Sequence, residues 1–119
     1  MIDRWMAAQK VVCEKYVRAF CEASPTWKIG ISRNVRDGVL PVNGLRSPTS
    51  DGVTIGWYIW AGGEPSSDPN FFVPLHVGHL EDWCPEVIPF LGLPAGTRFL
   101  LAPGHEDVWD DPLLLVPAT

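Results

Sequence analysis

The chain has 119 residues, 46% of them hydrophobic, with six Trp, five Phe and two Tyr. That is enough for one core without metal or disulfide staples, and the length suits one domain over 1–119. The net charge of −5 is unevenly spread. Residues 1–50 carry eight Lys and Arg against four Asp and Glu, a balance of +4, while 51–119 carry one, Arg98, against ten, a balance of −9. So acidic a second half argues against nucleic acid and anionic membranes and for a basic protein partner.

In chain order, residues 3–23 read as one long helix. Asp3 caps its start, and Trp5, Ala8, Val12, Tyr16, Ala19 and Ala23 recur at helical steps. Lys10, Glu14, Arg18 and Glu22 form an (i, i+4) charge ladder on the outer side, and Ser24-Pro25 ends the helix. Trp27 to Ile31 alternates as a strand. Val39 to Leu45 is a weaker one, in which Pro41 suits an edge or a bulge. After a polar loop at 46–52, Val53 to Ala61 is the strongest strand, and its continuous apolarity suggests cover on both faces. Residues 62–67 form a loop. Asp68-Pro69 and Pro74 both read as helix starts, predicting a helix to about Trp83 with His76, His79, Leu80 and Trp83 on one face. Pro85 opens a short helix ending at Gly92. Thr97 to Leu101 is a strand, followed by a Pro103-Gly104 turn and short final strands at Val108-Trp109 and Leu113 to Val116. The order predicts an α+β fold with a mostly antiparallel sheet.

Twelve Pro and eleven Gly fit short elements and tight turns. No apolar run approaches the roughly 18 residues of a membrane helix. Gln9, Lys10, Glu14 and Lys15 interrupt any export leader, so a cytoplasmic location is expected. Cys13, Cys21 and Cys84 are an odd set, expected to be reduced and at least partly buried.

Three constellations carry candidate chemistry. His76, His79 and Cys84 offer zinc-type ligands, but their spacing matches no known zinc signature. His105, Glu106, Asp107, Asp110 and Asp111 are dense enough for acid/base or cation chemistry, although Asp beside Gly and Pro is ordinary in turns. A Cys–His nucleophile is conceivable between Cys84 and His76, His79 or His105, without a glycine-rich oxyanion turn. No phosphate loop or dinucleotide fingerprint occurs. No catalytic residue, metal site or cofactor is therefore assigned. The aromatics say more. Trp57, Trp60, Trp83 and Trp109 lie in the acidic half, mostly as core. Trp60 and Trp109 adjoin carboxylate-rich turns and are the candidate exposed anchors. The candidate partner-binding set is Trp60, Glu64, Asp68, Glu106, Asp107, Trp109, Asp110 and Asp111.

Several short motifs then appear in order. They are Gly56-Trp57-Tyr58-Ile59-Trp60-Ala61-Gly62, Asp68-Pro69-Asn70-Phe71-Phe72, Pro74-Leu75-His76-Val77 with His79-Leu80, Leu93-Pro94-Ala95-Gly96-Thr97-Arg98-Phe99-Leu100, and Asp107-Val108-Trp109-Asp110. Together, from about Leu45 to Leu115, they resemble the immunity protein 33 family of bacterial polymorphic toxin systems. The resemblance implies a non-catalytic protein that binds and occludes a cognate toxin, here one with a basic surface. It supplies no catalytic residues and leaves the oligomeric state open. A regulatory or adaptor module, or a small metal- or Cys/His-dependent hydrolase, are the alternative readings.

Overall fold

A computed structural model describes residues 2–24, 26–48 and 54–115. Pro25, most of the expected 46–52 loop, Val53 and the end of the expected 113–116 strand lie outside them, as does the side chain of Asp3.

The elements are α1 (Ile2–Lys15), β1 (Lys28–Ser32), β2 (Val42–Arg46), β3 (Thr54–Ala61), β4 (Phe72–His76), α2 (Leu80–Trp83), β5 (Thr97–Ala102) and β6 (His105–Asp110). Short 3-10 helices cover Arg33–Val35, Val77–His79, Pro85–Phe90 and Pro112–Leu115. The strands form one six-stranded sheet in the order β4-β1-β3-β2-β5-β6. The β1–β3 pair is parallel and the other pairs are antiparallel, so the class is α+β.

The opening helix is shorter than its apolar period predicts. It stops at Lys15, where the amide of Arg18 bonds to the Cys13 carbonyl (2.8 Å) and that of Val17 to the Glu14 carbonyl (3.2 Å). This is the Schellman pattern, and it puts Val17 in the left-handed region at φ 56°. Arg18 and Glu22 therefore leave the helix, and the charge ladder breaks after Glu14.

Four other expectations change. Phe72 to His76, read as helix, is edge strand β4, because an edge tolerates Pro74 and the sheet needs β4 on one side only. Strand β2 is central, and Pro41 stands just outside its start. The polar run His105 to Asp110, read as turns with a short strand, is a full edge strand in register with β5. Leu113 falls in a 3-10 turn, not a strand.

One sheet face holds the core. Trp57, Ile59 and Ala61 of β3 point there with Ile29, Ile31, Val42 and Phe99, packed under Trp5, Val12 and Cys13 of α1 and Val87, Ile88, Leu91 and Leu93. Gly44 is required at this layer: a Cβ there would sit 2.3 Å from the Phe99 ring. Gly30 plays the matching part on the other face, where a Cβ would lie 2.8 Å from the Tyr58 ring.

The 88–93 segment lies outside the sheet ladder, and side chains add donors to its carbonyls beside the amides of Leu91 and Cys21, which bond to Ile88 O and Gly92 O. Gln9 Nε2 donates to Ile88 O (3.1 Å), Trp57 Nε1 to Leu91 O (3.0 Å) and Cys13 Sγ to Gly92 O (3.3 Å). Buried Arg46 donates to Leu91 O (3.2 Å), Leu93 O (2.8 Å), Cys21 O (3.3 Å) and Glu22 O (3.1 Å), with its guanidinium 5.9 Å from the Trp57 ring centre. Buried polar groups must find such partners, so these bonds fix where α1 sits on the sheet. The three cysteines are free, with Cys13 and Cys84 buried and Cys21 half-buried.

Candidate functional site

The sheet face away from the core is built by alternation. Register places Phe72, Pro74 and His76 of β4 beside Lys28, Gly30 and Ser32 of β1. Tyr58 and Trp60 of β3 lie next, against Leu45 and Asn43 of β2. Arg98 and Leu100 of β5 follow, then Trp109 and Asp107 of β6. An aromatic row crosses this face. Tyr58 meets Phe72 at 5.3 Å between ring centres, and Trp60 meets Phe72 at 6.2 Å. Arg98 stacks between Trp60 (5.8 Å) and Trp109 (5.5 Å) and reaches Asp111 at 3.3 Å. Its buried Nε has no hydrogen-bond partner among the described residues.

The two chosen tryptophans part company here. Trp60 is only 2% exposed, and its Nε1 donates to Gly63 O (2.8 Å). It is a wall of the fold and offers no free face as an anchor, which corrects the exposure expected of it. Trp109 is half-buried at the edge. Tyr58, 42% exposed, is the large aromatic that the open face presents at its centre. Its position between Trp57 and Ile59 hides it in sequence, because the run looks covered on both sides. The alternation of β3 is the signal that places it.

The carboxylates do not gather on one face. Alternation along β6 turns Glu106 and Asp110 to the helical side and Asp107 to the open side. Glu106 accepts from Lys15 Nζ (2.9 Å) and from the Tyr16 hydroxyl, and Asp110 from Arg18 Nε (3.0 Å). The Tyr16 hydroxyl, then the Lys15 ammonium, hold the Glu106 carboxyl below its usual range. Asp107 has no such partner among the described residues. Glu64 and Asp68 are exposed in the β3–β4 loop, at the sheet end where β6 begins. Asp68 closes an Asx turn, accepting from the Asn70 amide at 2.9 Å, and caps no helix.

A groove of about 880 Å³ opens at that same end. Val35, Val42, Phe90 and Leu101 line it together with Arg36, Trp83, Cys84 and His105. Cys84 and His105, one of the histidines that a Cys–His nucleophile would need, both line it. Burial first, then its 3.2 Å hydrogen bond to Glu86, push Cys84 up to about 12, so it stays protonated near neutral pH. His76 and His79 meet at 5.9 Å between ring centres. Among the described residues, no three His, Cys, Asp or Glu side chains group so as to hold a metal ion.

A family model for the Imm33-like domain matches residues 8–111. The chain belongs to the Imm33-like family. The Imm33-like match extends well beyond the 45–115 stretch whose motifs carry the resemblance. It takes in most of α1, the buried Gln9 and Cys13, and the whole sheet. Comparison with curated proteins and with solved structures gave no match.

Proposed function

We propose that this Imm33-like chain is a cytoplasmic immunity protein that binds one cognate toxin and blocks it by occlusion, without catalysis. The family match over residues 8–111 carries the reading. The raised pKa that burial gives the Cys84 thiol fits a binding role better than a nucleophilic one. The docking surface follows β6 and the sheet end beside it: Trp109 as aromatic anchor, Glu106, Asp107 and Asp110 along the strand with Asp111 just after it, and Glu64 and Asp68 in the neighbouring loop. Acidic groups there suit a toxin with a basic surface, and they act chiefly by speeding encounter.

The test is co-expression with the toxin encoded by the adjacent gene, followed by affinity capture and a toxicity assay. The expected result is a stable complex and full protection. Replacing Glu64, Asp68 and Asp107 together by Lys is expected to weaken the complex at least about tenfold. A complex unaffected by that change would reject this surface, and no complex together with no protection would reject immunity.

A further inference from the structure

The sheet has two edges, and only one is closed to further pairing. On β4 the amide of Val77 bonds back to Trp27 O at 2.9 Å. Counting by twos from there, Phe72, Pro74 and His76 turn their backbone groups outward. Pro74 is the middle one and has no N–H, so a strand arriving at β4 loses its central bond. On β6 the Pro103-Gly104 turn closes on the Ala102–His105 pair, and the Asp111 amide bonds to Gly96 O at 2.7 Å. The same counting gives His105, Asp107 and Trp109 to β5 and leaves Glu106, Val108 and Asp110 facing outward. Their amides and carbonyls have no backbone partner among the described residues.

Proteins usually guard such an edge with Pro or charged side chains, Lys above all, and β6 has neither Pro nor Lys. It has three carboxylates. A second copy pairing antiparallel about Val108 would put Glu106 opposite Asp110 twice, and like charges directly opposite destabilise a sheet. A strand bearing Lys or Arg meets the reverse situation. Lys15 and Arg18 meet Glu106 and Asp110 at exposed to half-exposed positions, where such pairs are weak, which leaves room for both carboxylates to take a second cation.

We infer that the outward edge of β6 receives an extended, Lys- or Arg-bearing strand of the partner protein as a seventh strand of the sheet. Main-chain bonds to Glu106, Val108 and Asp110 supply the pairing, and the carboxylates of β6 select for basic side chains. This rests on the reading of the chain as a toxin-binding protein and adds the way the toxin is held.

The probe is a blocked six-residue peptide alternating valine and lysine, added to the full chain and followed by amide NMR and hydrogen exchange. The expected result is shift changes concentrated at residues 105–110, with the amides of Glu106, Val108 and Asp110 exchanging at least about tenfold more slowly. A peptide with glutamate in place of lysine, or with alternate backbone nitrogens methylated, is expected to bind at least about tenfold more weakly. Asp107→Lys, at an exposed site, is expected to weaken the lysine peptide about threefold or more with an unchanged melting temperature. Equal binding of the methylated peptide, shifts centred on β4 or the groove, or no protection at millimolar peptide would each overturn edge pairing. A complex with the adjacent-gene toxin that leaves those three amides unprotected would overturn it while immunity stands. Pairing with the peptide in a chain that neither binds nor neutralises that toxin would overturn immunity while the edge stands.

Discussion

Arg46 and Val17 carry the clearest single-residue consequences. The Arg46 guanidinium is buried among carbonyls of two irregular segments, 21–22 and 91–93, and burial lowers its pKa. Arg46→Met removes the side-chain donor of the Cys21, Glu22 and Leu93 carbonyls, while Leu91 O keeps Trp57 Nε1, and each carbonyl left buried and unpaired costs about 1–3 kcal/mol. Urea unfolding is expected to show a loss of at least about 3 kcal/mol. Arg46→Lys is expected to recover little, since one ammonium cannot replace the planar fork. Val17 acts in the opposite direction. It is 85% exposed and its only demand is a left-handed backbone that a β-branched residue resists. Val17→Gly is expected to stabilise by about 1 kcal/mol, raising the melting temperature by roughly 3–5 °C, while Val17→Ala gains much less. Neither residue was legible beforehand. Arg46 sits in a stretch that looks like a polar loop, and the helical period of Trp5, Val12 and Tyr16 carries on smoothly past the point where the chain turns.

At the scale of elements, local patterns were readable where one strand or helix decides its own state. The strand near 27–31 was readable from its alternation, the one ending at Ala61 from its β-branched and aromatic content, and the short helix after Pro85 from its proline. The edge strands were not, because an edge answers to its neighbour. Pro74 suits a helix start as well as an edge position, and the acidic run from His105 becomes a strand through its pairing with β5, with Lys15 and Arg18 clamping two of its carboxylates. That clamp is testable by pH. Hydrogen bonds from Tyr16 and Lys15 lower the Glu106 pKa in the folded protein. The stabilisation is therefore complete above the ordinary glutamate value of about 4.3 and lost as pH falls through the lower folded value. A carboxyl NMR titration is expected to place Glu106 below 4.3. Tyr16→Phe should raise it most and Lys15→Met next. A titration unmoved by either change would mean the clamp does not form in solution.

For the molecule as a whole, the +4 and −9 halves of the sequence do not become two opposed poles. Lys15 and Arg18 from the first half fold onto Glu106 and Asp110 of the second, so part of the asymmetry closes on itself. The acidic half was legible as a reason to expect a basic partner, but the single acidic face was not a consequence of it. Alternation along β6 divides the carboxylates between two sides, and Trp60, which looked like their neighbour at the surface, closes inward on Gly63. What reaches solvent around β6 and the β3–β4 loop is Asp107, Glu64 and Asp68, beside carboxylates that Lys15 and Arg18 partly neutralise. Charged clefts raise association rates by about 10- to 1,000-fold, and so reduced a field belongs at the low end of that range. Against a basic toxin, the association rate is expected to fall about tenfold as salt screens contacts beyond the Debye length, with the dissociation rate changing far less. The double change Lys15→Glu and Arg18→Glu supplies the sign test. It removes the two cations that neutralise β6 and releases its carboxylates, so it should speed association with a basic partner at low salt even as it loosens the end of α1. Stopped-flow measurement at two ionic strengths separates the outcomes: a slower association in that variant, or a salt effect confined to dissociation, would show that the field around β6 does not guide the encounter.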